Sequence, residues 1–249
     1  MRQVPAIGNR LLAALPPADF DLLAPELDTV ALVEDTAISQ DGDPVDYVLF
    51  PHSGAISLMV DLADGQTVAS ALIGREGAMG TLSVFGPSPS ALTAIVRAAG
   101  VASRIPARRF NAAFNRSPAI RHAIQTHVRA MLVQLQRGGA CNALHPVQAR
   151  MARWLLHICD RIDGDFLPLT QEALSQILGV RRTTVTLLMR NLRESGAIRS
   201  VRRGHIEIDR VRLAAAACEC HGTMHREVEQ IFSTARLRAW TTPDELRLP

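Results

Sequence analysis

Between Leu169 and Ile198 the chain reads LTQEALSQILGVRRTTVTLLMRNLRESGAI. Thr170 is a good helix N-cap, because its hydroxyl can accept from a first-turn amide that has no partner within the helix. Ala173, Leu174, Ile177 and Leu178 follow at helical spacing and form one apolar face. Gly179 stands where a tight turn needs positive φ, a conformation that L side chains resist. Val180 plugs between two helices, and Arg181 or Arg182 opens the second. Val185, Leu188, Met189 and Leu192 then face inward until Ser195-Gly196 ends it. Two short apolar-faced helices around a glycine turn make a helix-turn-helix. The outward residues of the second helix, Arg181, Arg182, Thr183, Thr184, Thr186 and Arg190, suit phosphate and base-edge contact. Those nearest the N-terminus are best placed for a major groove, with Thr170 at the neighbouring cap. Residues 198–208 read as two short strands around Arg202-Arg203-Gly204, a basic wing. The plainer alternative is a helical hairpin with a solvated arginine face. Glycine placement, basic helix start and wing coincide against it.

Charge supports the same segment. The chain carries a formal net charge of +3, and all 27 of its Lys and Arg are arginine. A genome biased towards arginine codons explains that more simply than function does. Residues 146–212 hold 12 arginines against 7 acidic residues, whereas the stretches on either side are each net negative by one. A compact basic unit points to a polyanionic partner, double-stranded DNA first. A hydrophobic fraction of 47% is globular. No apolar run approaches the roughly 18 residues of a membrane span. Pro16-Pro17 and Asp19 break up the N-terminal leucines, so no signal pattern is formed and the cytoplasm is expected.

Ahead of the basic unit, residues 9–27 read as helical turns with Leu11, Leu12, Leu15, Leu22, Leu23 and Leu27 as the apolar set. Short β-rich runs follow at 30–33, 45–50, 55–60, 67–73, 92–98 and 101–105. Turn signals such as Asp41-Gly42-Asp43-Pro44, Ser53-Gly54, Asp64-Gly65 and Ala99-Gly100 separate them. Such spacing predicts a β-barrel or jelly roll. Helix returns at Ser117-Pro118, an N-cap followed by proline at the first helical position. Ile124, Val128, Met131 and Leu135 then repeat at 4-3-4 spacing, a narrow seam suited to pairing with a second copy. Ala123, Ala130 and Leu132 lie off it, towards the barrel. An amphipathic helix docked within its own domain is the other reading of this pattern. Gly138-Gly139 weakens the helix, residues 142–146 read as a hinge, and another helix covers 147–162. The expected architecture is α+β in two domains. A jelly-roll sensor with N-terminal helices covers 1–116, a dimerisation helix and hinge 117–145, a winged helix-turn-helix 146–212 and a helical tail 213–249.

This order resembles the Crp/Fnr family of bacterial transcription regulators over nearly the whole chain. The most specific match is Leu169-Thr170 with Leu178-Gly179-Val180-Arg181-Arg182-Thr183-Thr184-Val185. Residues 142–146, NALHP, followed by RMARWL at 150–155, look like a recurring subgroup form of the hinge and next helix. The resemblance implies a cyclic-nucleotide-binding-like sensor and a homodimer on a pseudo-palindromic operator, with RNA polymerase a further candidate partner. It puts Arg182 at the family's guanine-reading arginine. The next two base-reading positions, typically glutamate and arginine, are Thr183 and Leu187 here, so the operator of the best-known members does not carry over. Members that bind cyclic AMP place a glutamate after a glycine for the ribose and an arginine–serine pair for the phosphate. Those positions align with Thr81 after Gly80, beside Leu82, and with Leu92-Thr93. Without the arginine a buried phosphate lacks a charge partner, so cyclic nucleotide binding is not expected. The iron–sulfur branch has an N-terminal cysteine cluster, and this chain has no cysteine before Cys141.

Other candidates are weaker. The turn GREGAMG at 74–80 has neither Rossmann nor Walker spacing. Cys218, Cys220, His221 and His225 are potential soft-metal ligands, but neighbours on one helix do not readily converge on one ion. A reduced structural pair is preferred, and no cofactor or metal is expected. Cys141 lies near the hinge with no activating partner in sequence. No nucleophile elbow, zinc-protease helix or acid/base pair suggests an enzyme. Two alternatives to a DNA-reading regulator stand. One is a ligand-binding module whose helix-turn-helix no longer reads DNA, which the basic excess opposes. The other is a metal- or thiol-responsive regulator using the C-terminal Cys/His cluster.

Overall fold

A computed structural model describes residues 8–86, 88–202 and 204–238. Two short helices lead, α1 (Arg10–Ala13) and α2 (Pro17–Phe20). Buried Asn9 caps α1 through Oδ1, which accepts from the amides of Leu11 and Leu12 at 3.1 and 3.2 Å. Its Nδ2 donates to the carbonyls of Pro51 and Gly77, tying the cap to the barrel.

Each of the six predicted β-rich runs forms a strand. The strands are β1 (Asp28–Leu32), β2 (Ala37–Ser39), β3 (Tyr47–Pro51), β4 (Ala55–Asp61), β5 (Thr67–Ile73), β6 (Thr93–Ala98) and β7 (Gly100–Pro106). They form two antiparallel sheets in the orders β1-β7-β3 and β2-β6-β4-β5. The sequence reading had no counterpart to β2, whose three residues pair with β6 across a register shift. It also missed helix α3 (Ala107–Arg116). Ala107, Phe110 and Ala113 supply the buried face of α3, and Phe110 meets Phe50 at 5.7 Å between ring centroids.

Helix α4 (Pro118–Leu144) starts where expected. Ser117 Oγ accepts from the Ile120 amide at 3.0 Å and donates to Asp19 Oδ1 at 2.6 Å. It runs unbroken through Gly138-Gly139 to Leu144, past the predicted weak point. Packing against β5, where Gly138 is buried, offsets the low helix propensity of the two glycines. His127 lies fully buried on this helix against Gly77, and burial pushes its imidazole down to about 4, so it packs as a neutral ring at pH 7.

Helix α5 (Val147–Cys159) follows the break at His145-Pro146. Then come β8 (Phe166–Pro168), α6 (Gln171–Leu178), α7 (Arg182–Glu194), β9 (Ile198–Arg202), β10 (His205–Ile208), α8 (Arg210–Ala216) and α9 (Cys220–Arg238). The wing is a three-stranded sheet in the order β8-β10-β9, one strand more than the sequence suggested. Helix α8 crosses the expected boundary at 212. Helix α9 lies along α4, anchored by Arg137 on Glu227 and by Arg10, which grips Glu229 at 2.5 Å and stacks over Phe232. Among the described residues no helix is long and apolar enough to cross a membrane.

The two halves are not merely hinged; they share a core. Ala55, Met59, Ala69, Leu72 and Ala98 of the barrel join Met151, Leu155, Leu174, Leu178, Val185 and Leu192 in one apolar cluster. Strand β4 is therefore buried on both faces from Ala55 to Met59, which is why its run is continuously apolar apart from Ser57. Polar ties reinforce the contact. Arg97, 3% exposed, bridges Asp35 at 3.2 Å and Gln176 at 3.0 Å. Arg161 meets Glu76 at 2.5 and 2.8 Å with both side chains almost fully buried.

Candidate nucleic-acid interface

Local chemistry builds the helix-turn-helix as the sequence indicates. Thr170 Oγ1 accepts from the Ala173 amide at 3.1 Å. Ala173, Leu174, Ile177 and Leu178 are buried, and Gly179 takes φ 64°. Arg181 occupies the N-cap of α7 in extended conformation without a side-chain cap. No side chain therefore caps the first turn of α7, whose N-terminus is the positive end of the helix dipole.

Val185, Leu188, Met189 and Leu192 are buried, leaving Arg181, Arg182, Thr183, Thr186, Leu187 and Arg190 exposed and Thr184 half-buried. Arg182 Nε rests 3.3 Å from Glu172 Oε2, and Arg190 Nε is 2.8 Å from Glu194 Oε1. Both pairs are well exposed, and such pairs contribute only about 0–1 kcal/mol. Phosphate or a guanine edge can displace them at little cost. Thr186 Oγ1 donates within hydrogen-bond reach of Gln171 Oε1 at 3.0 Å and the Arg182 carbonyl at 3.1 Å. Leu187 is an apolar patch amid this polar face at 56% exposure. In the wing, Arg202 sits opposite His205 in the β9–β10 pair, and Gly204 has φ 81°. The expected Arg203 contact falls outside the described residues.

The residues of the predicted seam are not all free at the surface. Ile124 is 2% exposed and belongs to the core formed with Leu11, Phe50, Phe110 and Phe232, so it cannot meet a second copy. Val128 and Met131 are half-buried. Leu135 is exposed, as is Leu132, which the sequence reading had turned towards the barrel. Leu132, Leu135 and Gly139 are exposed and continue half-buried Val128 at 4-3-4 spacing, a stripe rotated about the helix axis from the predicted one. The barrel and α9 pack on other faces of the helix, while Gln125, Arg129, Gln136, Arg137 and Ala140 are also exposed.

In the sensor half, Gly80 has φ 80°, and a Cβ there would fall 2.4 Å from the Tyr47 carbonyl oxygen. Thr81 is buried at the start of a short 3-10 turn (Thr81–Phe85), and Leu82 on that turn is exposed. Leu92 packs against the barrel core, and Thr93 Oγ1 donates to Asp61 Oδ2 at 2.5 Å. A half-open cavity of about 530 Å³ lies between the sheets; of these five residues only Gly80 lines it. Its walls include Leu32, Ile38, Leu49 and Met79, with Tyr47 and Arg104 at one side. Arg104 lies over the Tyr47 ring at 4.5 Å. The sequence reading missed this arginine because it alternates within an ordinary strand.

The C-terminal candidates part company. His221 Nε2 is 2.9 Å from Asp160 Oδ2, and His225 is exposed. Cys218 and Cys220 turn the other way, to Cys141 Sγ at 3.4 Å and His145 Nδ1 at 3.5 Å respectively.

Comparison with known proteins agrees with this geometry. Residues 29–117 match the cyclic nucleotide-binding domain, and residues 149–216 match the Crp-like helix-turn-helix domain. Three solved structures illustrate the likeness. A putative Crp/Fnr transcriptional regulator from Eubacterium rectale aligns with TM-score 0.67 at 17% identity, covering 85% of this chain and 99% of its own. FixK2 from Bradyrhizobium japonicum gives 0.65 at 18%, covering 77% and 98%. The c-di-GMP-responsive global regulator CLP of Xanthomonas campestris gives 0.63 at 18%, covering 78% and 99%. At such identities the structural likeness speaks for the fold alone. Among curated proteins none matches the chain in sequence.

Proposed function

The chain belongs to the Crp/Fnr family of transcription regulators, and from that premise we propose that it binds a pseudo-palindromic operator as a homodimer. Helix α7 reads the major groove, and the sensor answers to something other than a cyclic nucleotide. The observation that carries this reading is the outward N-terminus of α7. There Arg181, Arg182 and Thr183 are exposed, held by nothing stronger than a surface ion pair, on the one basic unit of the chain. Arg182 is assigned to guanine, where a guanidinium donates two hydrogen bonds to O6 and N7 worth about 1–3 kcal/mol of discrimination. Exposed Leu187 suits a thymine methyl better than a polar edge. Arg202 and Arg203 of the wing are assigned to phosphate, and the stripe Val128, Leu132, Leu135 and Gly139 to the two-fold interface. The cytoplasm is where such a regulator works.

Arg182→Ala should lose specific operator binding about 5- to 150-fold, the range that corresponds to 1–3 kcal/mol, while keeping most weak binding to random DNA. Arg203→Ala should weaken both together and flatten the salt dependence. Competition titrations at two salt concentrations, with an operator selected from a random-sequence library, separate these outcomes. Equal loss on operator and random DNA would leave Arg182 a phosphate anchor. For the sensor, calorimetry with cyclic AMP and cyclic GMP should show no one-to-one micromolar site, because Leu92 stands where the phosphate-binding arginine is needed. Heat from such a site would sink that part of the reading.

A further inference from the structure

Four side chains from distant parts of the chain meet where the long helix gives way to the helix-turn-helix unit. The ligand atoms of Cys141, His145, Cys218 and Cys220 all lie within 4.8 Å of one another. Cys141 and His145 are one turn apart, at the end of α4 and its C-cap, so they share a face. Cys218 precedes the start of α9, in extended chain after α8, and Cys220 is the first residue of α9. That break lets two near neighbours converge, which they could not do as successive residues of one helix. The three cysteines are buried and form a small cluster apart from the main cores.

We propose that these residues bind one soft divalent cation, zinc by the chemistry of the set, as a Cys3His site clasping α9 to the end of α4. Tetrahedral zinc with ordinary Zn–S and Zn–N bonds separates sulfur from sulfur by about 3.8 Å and sulfur from nitrogen by about 3.6 Å. The observed 3.4 Å from Cys141 Sγ to Cys218 Sγ and 3.5 Å from Cys220 Sγ to His145 Nδ1 are close to those edges. An iron–sulfur cluster needs its thiolates further apart, because several metals and sulfides stand between them.

Two surrounding features favour a metal over a simple thiol cluster. His145 Nε2 lies 3.2 Å from Glu219 Oε1, and its Nδ1 faces the Cys220 sulfur at 3.5 Å. Metal-bound histidines use this carboxylate partner to fix tautomer and ring orientation. Three thiolates around a divalent ion also leave one net negative charge. The Arg153 side chain, 2% exposed and with no hydrogen-bond partner for Nε, supplies a buried cation beside it. A Cys141–Cys218 disulfide would account for two of the four residues and leave His145, Glu219 and Cys220 without a reason to converge.

The test is metal content of the full-length protein purified under reductant without chelator. About one zinc per chain is expected by plasma mass spectrometry. Cys141→Ser and Cys218→Ser should each retain little or none, and His225→Ala, outside the set, should retain it all. If the serine variants fold poorly, the wild-type protein stripped of metal and titrated with cobalt(II) keeps the question open to measurement. One equivalent should give the intense visible d–d bands and near-ultraviolet charge transfer of tetrahedral thiolate-rich cobalt, and zinc should abolish them. Freely titrating thiols with no cobalt spectrum, or zinc content indifferent to Cys141→Ser, would overturn the site.

Discussion

Glu76→Ala is expected to destabilise the fold by about 3–5 kcal/mol, because it strips a buried guanidinium of the one carboxylate that pairs with it among the described residues. Arg161 donates to Glu76 from Nε and Nη2 and to the His157 carbonyl from Nη1 at 2.7 Å. The two side chains are only 10% and 13% exposed, so water replaces the lost partner only in part. Against a total stability of about 5–15 kcal/mol the loss is a large fraction. The pair also joins the turn after β5 to the end of α5, so the damage falls where the barrel and the helix-turn-helix unit share their core. Glu76→Gln keeps an acceptor and should lose less. Glu76→Leu combined with Arg161→Met removes both charges and should recover most of the stability. Urea unfolding of the four proteins measures this directly. A double variant as unstable as Glu76→Ala would mean that packing, rather than an abandoned charge, sets the cost.

The second large effect concerns assembly. Leu132→Glu with Leu135→Glu should convert the proposed dimer to monomer in sedimentation. Across a two-fold axis the substitution sets like charges face to face in the stripe, while each side chain is already half-exposed in the single chain. Folding should therefore survive. Operator affinity should fall by about two to four orders of magnitude, because two linked half-site contacts become two independent ones. Binding of the variant to a single half-site should change little. Ile124→Glu is the contrasting case, since Ile124 lies in the core beside Phe110 and Phe232 and its charge should unfold the chain. A Leu132/Leu135 variant that stays dimeric would move the interface elsewhere on the surface.

The sequence by itself determined whatever depends on near neighbours. The helix-turn-helix was legible because its signals are local: a hydroxyl at Thr170, a residue free to take positive φ at Gly179, and apolar side chains at helical spacing on either side. The β-strands were legible because glycine- and proline-rich turns interrupt them at short intervals. The start of α4 was legible in Ser117-Pro118 for the same reason. Helix α3 was also written there, in Ala107, Phe110 and Ala113, but so short an apolar face is easily passed over next to a strand. Tertiary structure alone decided which face of α4 stays free. Periodicity marks the side chains that avoid water, but not whether a barrel, a C-terminal helix or a second copy covers them; Ile124, expected at the surface seam, is buried, and Leu132, expected towards the barrel, is exposed. It also decided that the halves share one core, since the doubly buried run of β4 names no partner. Finally, it brought Cys141 and His145 to Cys218 and Cys220. The sulfurs of Cys141 and Cys218, 77 residues apart, meet at 3.4 Å only because α9 folds back along α4. Spacing along the chain cannot show such a meeting, because ligand geometry is set by the distance between side chains in the folded protein.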